Sequence, residues 1–404
     1  MPKLLQINVV ANWGSTGRIA EEIGKLAIAK GWESYIAYGR GNPLSQSQLI
    51  RIGSNLDMYY HGLQSRIFDN HGLVSERATK QLIKKIDEIK PDIVHLHNIH
   101  GYYLNYPILF NYLSQIKVPV VWTLHDCWSF TGHCAYYTYV KCYRWKDVCF
   151  EWPQKRAYPS TWLLDNSSLN YEYKKKAFNS VKNMVMVPVS KWLAGELQQS
   201  FLNRYPIKVI NNGIDLDIFK PILGLPKNDK FTILGVASVW EKRKGLDDFI
   251  QLSQKLPDHY QVVLVGLSSK QVKALPPQII GIERTNSISE LVKLYNTADV
   301  FFNPTWEDNF PTTNLEALAC GTPVITYQTG GSVESVDEST GFIIEPGNID
   351  AALDAINHIR EVGKNKYSVK CIEKAQKLYN RNDRYQEYIQ LYNELLHSKQ
   401  VTKM

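Results

Sequence analysis

No apolar run in this 404-residue chain is longer than a strand, and none approaches the roughly 20 residues of a membrane-spanning helix. Cysteine is scarce: six in a chain of this size do not suggest a secreted disulfide scaffold. The opening Met1-Pro2-Lys3-Leu4-Leu5-Gln6-Ile7-Asn8 is broken by polar residues and lacks a small-residue cleavage site, so it reads as a first strand rather than a signal peptide. Internal repeats and low-complexity tracts are absent as well. These absences leave a cytoplasmic enzyme as the expectation.

The apolar fraction, 44%, is enough for two sizeable cores, hence two domains. Charge is uneven between them. Residues 1–205 hold 24 Lys+Arg against 15 Asp+Glu, a net of +9, whereas the remainder holds 22 against 24, a net of −2. A basic amino-terminal half suits an anionic partner, either a membrane surface or a phosphate-linked acceptor. Solvated helix faces explain the same excess. Nucleic acid is not expected, because no binding motif accompanies the charge.

The most informative stretch runs from Val300 to Glu334. A short apolar run ends at Asn303-Pro304, as a buried parallel strand does. Thr312 or Thr313 is placed to cap a helix over Asn314 to Cys320, which Gly321 and Pro323 stop. Val324-Ile325-Thr326 is a second strand, leading to the turn at Gly330-Gly331. Two acids eight residues apart, Asp308 in the loop and Glu316 in the helix, thereby border one crevice at the carboxyl ends of the strands. Free N–H groups around Pro311, Thr312 and Thr313 suit a diphosphate, and carboxylates beside them suit hydroxyl-rich groups. Phosphate, ribose and sugar hydroxyls together describe a nucleotide-sugar. An ordinary buried βαβ unit with a solvated acid at each end is the plainer alternative.

The stretch closely resembles the acidic-x7-acidic signature of the retaining GT-B glycosyltransferases of family four. The resemblance implies an α/β fold of two facing Rossmann-like domains with an interdomain cleft. It further implies that Glu316 holds the donor ribose, that Asp308 meets the donor sugar, and that Gly330 and Gly331 lie beside the diphosphate, with Asn309 and Phe310 in the same donor loop. Asp308 stands where the family usually has Glu. The family places an Arg and a Lys on the diphosphate. Lys244 matches the Lys, while Ser238 stands at the Arg position, leaving Ser238 or Arg243 to supply the second contact.

Elsewhere, Leu4 to Val10 reads as a strand and Ile19 to Ala29 as a helix, with Gly14-Ser15-Thr16-Gly17 between them as a tight βα turn or, as the resemblance implies, a loop facing the cleft. The strand from Pro91 runs into His97 and His100, and Val118 to Leu124 ends at His125-Asp126. Histidines just past strand ends belong to the cleft of a doubly wound sheet. By resemblance His125 borders the donor sugar, with His97 and His100 on the acceptor side. Tyr171 to Lys182 reads as a basic helix, and Val209 to Asp215 as a strand with a turn-rich exit. The Pro-, Gly- and Lys-rich run Pro221 to Lys230 marks a boundary.

Cys127, Cys134, Cys142 and Cys149 lie within 23 residues, which suggests a structural zinc loop. The spacings contain no CxxC knuckle and Trp152 stands where one would close, so reduced thiols and no metal are expected.

The expected organisation is an acceptor domain over 1–221, a donor domain over 222–380, and a closing helix over 381–404 that returns to the first domain. The expected activity is transfer of a hexose-type sugar from a UDP- or GDP-type donor to a glycan or lipid-linked acceptor, without a further cofactor. Peripheral association with anionic membrane accompanies it. A nucleotide-sugar epimerase or hydrolase, or a non-catalytic nucleotide-sugar-binding protein, shares the architecture.

Overall fold

The computed structural model describes residues 1–226 and 228–401, with side chains as far as Ser398. The chain forms two compact units, one of residues 1–211 with 384 onward, the other of residues 212–383. The division falls at Asn211/Asn212, so the Pro221–Lys230 run lies inside the second unit.

The first unit is built on a six-stranded parallel sheet: β1 (Lys3–Val10), β2 (Glu33–Arg40), β3 (Gln48–Arg51), β4 (Ile93–Leu96), β5 (Val120–Leu124) and β6 (Met184–Pro188), in the order β3-β2-β1-β4-β5-β6. Connecting helices are α1 (Gly14–Ala29), α2 (Asn55–Phe68), α3 (Glu76–Ile89), α4 (Tyr106–Gln115), α5 (Ser167–Phe178) and α6 (Lys191–Gln198). This is the doubly wound order, with its switch point between β1 and β4. Leu4, Ile93, Val121 and Val187 are buried together with Ile19 and Ile23 of α1.

Three expectations are corrected here. Gly14–Gly17 is the first turn of α1 rather than a loop before it. The basic helix is α5, ending at Phe178, with Lys182 beyond it. The stretch from Val209 to Asp215 is not a strand, and its cause lies in β6. Met186 N–H reaches Pro206 O at 2.9 Å, and Met186 O accepts Lys208 N–H at 3.0 Å. The next rung needs an N–H from Pro188, which proline does not have; only the longer Ile210 N–H to Pro188 O bond, at 3.3 Å, remains, and no strand forms.

The second unit repeats the plan. Its strands are β7 (Phe231–Val236), β8 (Tyr260–Val265), β9 (Ile279–Ile282), β10 (Val300–Asn303), β11 (Val324–Tyr327) and β12 (Gly341–Ile344), ordered β12-β11-β10-β7-β8-β9. Its helices are α7 (Leu246–Lys255), α8 (Ser269–Ala274), α9 (Ile288–Thr297), α10 (Thr312–Ala319), α11 (Ile349–Val362) and α12 (Asn365–Leu378). The switch point falls between β7 and β10. A last helix, α13 (Arg381–Val401), buries Tyr385, Tyr388, Ile389 and Tyr392 in the core of the first unit. Among the described residues no helix is long and apolar enough to cross a membrane.

Candidate active site

In the second unit the loops after β7 and β10 meet at the switch point. The β7 loop closes in a short turn over Lys242–Lys244 that ends at Gly245, with φ at +76°. A Cβ at Gly245 would stand 2.3 Å from the Pro304 carbonyl oxygen, so only glycine lets the two loops approach this closely. Trp306 N–H then donates to Arg243 O at 2.7 Å, tying the loops together.

That contact brings Lys244 to Asp308, Nζ to Oδ2, at 2.5 Å. Both side chains remain about one-fifth exposed (20% and 18%), so a ligand can reach either. The other Asp308 oxygen accepts the Phe310 N–H at 3.2 Å, and its carbonyl accepts Gly331 N–H at 3.1 Å. Gly330, at φ +49°, lies so close that a Cβ would sit 2.1 Å from Asp308 O. Lys244, Asp308, Gly330 and Gly331 thus form one local assembly.

The helix start differs from expectation. Pro311 is the cap residue and Thr312 the first helical position, so neither threonine caps with its side chain. Asn309 and Phe310 are buried, and Phe310 packs on Tyr379. Their side chains fold into the loop. Arg243 donates to Glu241 in its own loop at 3.1 Å and to Glu307 O of the β10 loop at 3.3 Å. Ser238 is exposed at the end of β7. Glu316, in the second turn of α10, accepts the hydroxyl of fully buried Tyr295 at 2.8 Å. Sequence reading missed Tyr295, which lies 21 residues earlier on α9.

The first unit places its histidines at the ends of β4 and β5. His97 is buried at the end of β4. Its Nε2 faces Gln6 Oε1 at 3.1 Å and its Nδ1 faces His125 Nε2 at 3.2 Å. Because Gln6 Nε2 is committed to Ala20 O at 2.7 Å, Gln6 offers only its oxygen, and His97 Nε2 must be the donor. His125 Nε2–H then donates to His97 Nδ1, leaving the His125 lone pair on Nδ1. Burial lowers the His125 pKa to about 4, against the opposing pull of Asp126, so it is a neutral imidazole at pH 7.

His100 belongs to a different group. Its Nε2–H donates to Asp126 Oδ2 at 2.8 Å, and its Nδ1 meets the Tyr158 hydroxyl at 2.8 Å. Burial alone would raise the Asp126 carboxyl, but the adjacent His100 and the hydrogen bonds from it and from Trp128 N–H hold it below the ordinary range. Gly14 and Ser15 are exposed at the start of α1, while Thr16 hydrogen-bonds Asn8 at 3.3 Å and Gly17 is buried against Val10.

None of the six cysteines is in a disulfide, and Cys149 accepts Gly132 N–H at 3.0 Å. Burial pushes the Cys149 thiol up to about 11. Among the described residues no group of three or more His, Cys, Asp or Glu side chains is arranged to hold a metal. Asp215 forms an ion pair with the Arg381 guanidinium at 2.7 Å and accepts Asp217 N–H at 3.0 Å.

Two parallel six-stranded sheets, each with the doubly wound order, define a GT-B glycosyltransferase fold. Residues 16–218 match the profile described as Glycosyltransferase Family 4, and residues 220–378 that of Glycosyl transferases group 1. The chain belongs to glycosyltransferase family 4 and is a glycosyltransferase. It is similar to the putative colanic acid biosynthesis glycosyl transferase WcaC of Escherichia coli, 24% identical over 359 residues, covering 84% of this chain and 86% of that one. Among solved structures, sucrose-phosphate synthase from Thermosynechococcus elongatus superposes with a TM-score of 0.72 at 18% identity, covering 98% of this chain and 100% of the other. HepE of Anabaena, in complex with UDP-glucose, gives 0.65 at 15% identity, covering 98% and 99%.

Proposed function

We propose that this glycosyltransferase retains anomeric configuration. In this reading it moves a hexose-type sugar from a nucleotide diphosphate to a hydroxyl of a glycan or lipid-linked acceptor in bacterial surface-polysaccharide assembly. The observation that carries the reading is the Lys244–Asp308 pair, held at the β7/β10 switch point beside Gly330-Gly331 and the start of α10. On donor binding Lys244 leaves Asp308 for the diphosphate, joined by the α10 backbone amides and by Ser238 or Arg243. Asp308, released, accepts the donor sugar's hydroxyls, and Glu316, steadied by Tyr295, accepts the ribose hydroxyls. His125 borders the donor sugar, and the Gly14–Gly17 turn and His100 belong to the acceptor half.

The bond from the anomeric carbon to the leaving phosphate breaks, and the bond to the acceptor oxygen forms on the same face. The acceptor proton passes to the leaving phosphate oxygen, so no side-chain base is consumed. Lys244 and the helix start stabilise charge as the diphosphate departs. A UDP-type donor is favoured by the likeness to HepE, whose structure holds UDP-glucose. The surface-polysaccharide role is favoured by the likeness to WcaC, named for colanic acid biosynthesis. The enzyme works in the cytoplasm, at the anionic inner face of the membrane.

Calorimetry with UDP and GDP, together with proton NMR of the product anomer, tests the assignment. Glu316→Gln loses a hydrogen bond to a charged group worth roughly 1.5–3 kcal/mol, so nucleotide affinity should fall about ten- to a hundredfold. Asp308→Asn should keep nucleotide binding and lose transfer rate instead. An inverted product, or equal loss of nucleotide binding in both variants, would break the reading.

A further inference from the structure

The helix α2 is turned inside out. Its start is well specified, with a capping box in which Ser54 and Asp57 exchange hydrogen bonds. Yet the residues it buries are His61, Gly62 and Ser65, the small and polar ones. Leu56, Tyr59, Tyr60 and Leu63, spaced i, i+3, i+4 and i+7, face outward, with Leu56 79% and Tyr59 73% exposed. A surface helix of a globular protein normally shows the reverse.

The apolar face continues into a second segment. Trp162 N–H donates to Arg66 O at 2.6 Å and Leu164 N–H to Ile67 O at 3.4 Å, fastening residues 162–164 alongside the end of the helix. Trp162 and Leu163 are themselves 61% and 69% exposed. Side by side, the two segments expose Leu56, Tyr59, Tyr60, Leu63, Trp162 and Leu163, more than scattered single residues account for.

Charge selects the occupant. From Met58 to Phe68 the chain carries no acidic side chain, and Asp57 is occupied by the cap. Arg66 lies 5.8 Å from the Trp162 ring centroid, and exposed Lys155 and Arg156 adjoin the segment, since Thr161 N–H binds Lys155 O at 2.8 Å. Leucine tips, tyrosine and tryptophan rings and a cationic rim are the chemistry of a helix lying in the headgroup–acyl boundary of an anionic bilayer. At 1.5 Å per residue its 14 residues extend about 21 Å along such a surface.

We propose that the outward face of α2, with residues 162–164, is the surface by which this enzyme seats on an anionic membrane. It rests on the membrane reading above and assigns the residues responsible. The test is co-sedimentation of the full chain with phosphatidylcholine vesicles, with and without phosphatidylglycerol, for wild type and for Tyr59→Ser/Leu63→Ser. The wild type should sediment with the anionic vesicles, and the variant's partition should fall at least about tenfold with its UDP affinity unchanged. Quenching by brominated lipid should drop in Trp162→Phe, a substitution that leaves the fold intact. Equal binding by wild type and both variants overturns the surface assignment while the membrane reading stands. A wild type that ignores anionic vesicles overturns both, leaving the donor-site reading untouched. Variants that only turn a dimer into a monomer in gel filtration reassign the face to self-association.

Discussion

At the scale of single residues, the Lys244–Asp308 assembly depends on atoms too close for substitution. A methyl at Gly330 would press on Asp308 O, 2.1 Å away, at a φ of +49° that disfavours any Cβ. Relief requires Asp308 to move and its bond from Gly331 N–H to break. A displacement on the order of 1 Å at a positioning group costs about a hundredfold in rate. Gly330→Ala should therefore lower kcat/KM by about that factor. Gly224→Ala, also at positive φ but with open space around it, should leave kcat/KM within about twofold. Steady-state kinetics on the two variants decide this, and a Gly330→Ala enzyme at wild-type rate removes the turn from the site. Part of this was legible beforehand: Asp308 and the two glycines follow from their order and spacing around strand ends, and Lys244 from the family resemblance. Tyr295 was not. It reads as one more core aromatic on α9, and only the packing of α9 on α10 turns its hydroxyl onto Glu316. That Asn309 and Phe310 turn their side chains inward was not legible either, because nothing in a loop sequence says which side chains fold inward.

At the scale of elements, periodicity was a good guide and register a poor one. In α13 the residues Tyr385, Tyr388, Ile389 and Tyr392 fall at i, i+3, i+4 and i+7, the stripe of a helix that packs on something. What it packs on is the sheet of the first unit. The Tyr392 hydroxyl meets His95 Nδ1 at 2.7 Å, His95 Nε2 meets Thr123 Oγ1 at 2.8 Å, and Thr123 donates to the Tyr388 hydroxyl at 3.1 Å. The chain of bonds fixes His95 Nε2 as the donor and Nδ1 as the acceptor. Tyr392→Ala should cost about 3–5 kcal/mol by analogy with other buried aromatics. Tyr392→Phe keeps the volume but leaves His95 Nδ1 unsatisfied, at about 1–3 kcal/mol. Urea unfolding orders the two variants, and a Tyr392→Phe protein as stable as wild type rejects the bond. The missing strand at 209–215 carries the complementary lesson. Its apolar residues suit a strand, but the partner's Pro188 removes the donor, a pairing property invisible in the segment itself.

At the scale of the whole molecule, the two halves share one sheet order and differ in what they bury. The charge excess of residues 1–205 and the alternation of strands and helices were visible in the sequence, as was the two-domain plan. The density of neutral histidine inside the first unit was not, because a histidine near a strand end looks the same whether it faces water or core. Burial lowers the pKa of His61 to about 3 and of His125 to about 4, and carries His71, His95 and His97 well below the ordinary value. In the unfolded chain these five titrate near 6.5. As pH falls from about 6.5 towards 4, the unfolded state takes up protons that the folded state refuses. Stability is therefore fully present above about 6.5 and is lost across that window. Each such histidine adds about 1.4 kcal/mol per pH unit to the slope while only the unfolded state is protonated. The paired carboxylates, Asp126 and Asp165 among them, are held low and add their own loss only below about pH 4. The acid limb should thus begin some two units above the carboxylate range. Urea midpoints measured at pH 7.5, 6 and 5 should fall progressively, with His61→Gln shallower than wild type because it removes one of the five. A midpoint level from pH 7.5 to 5, breaking only below 4, would mean that carboxylates alone govern acid unfolding.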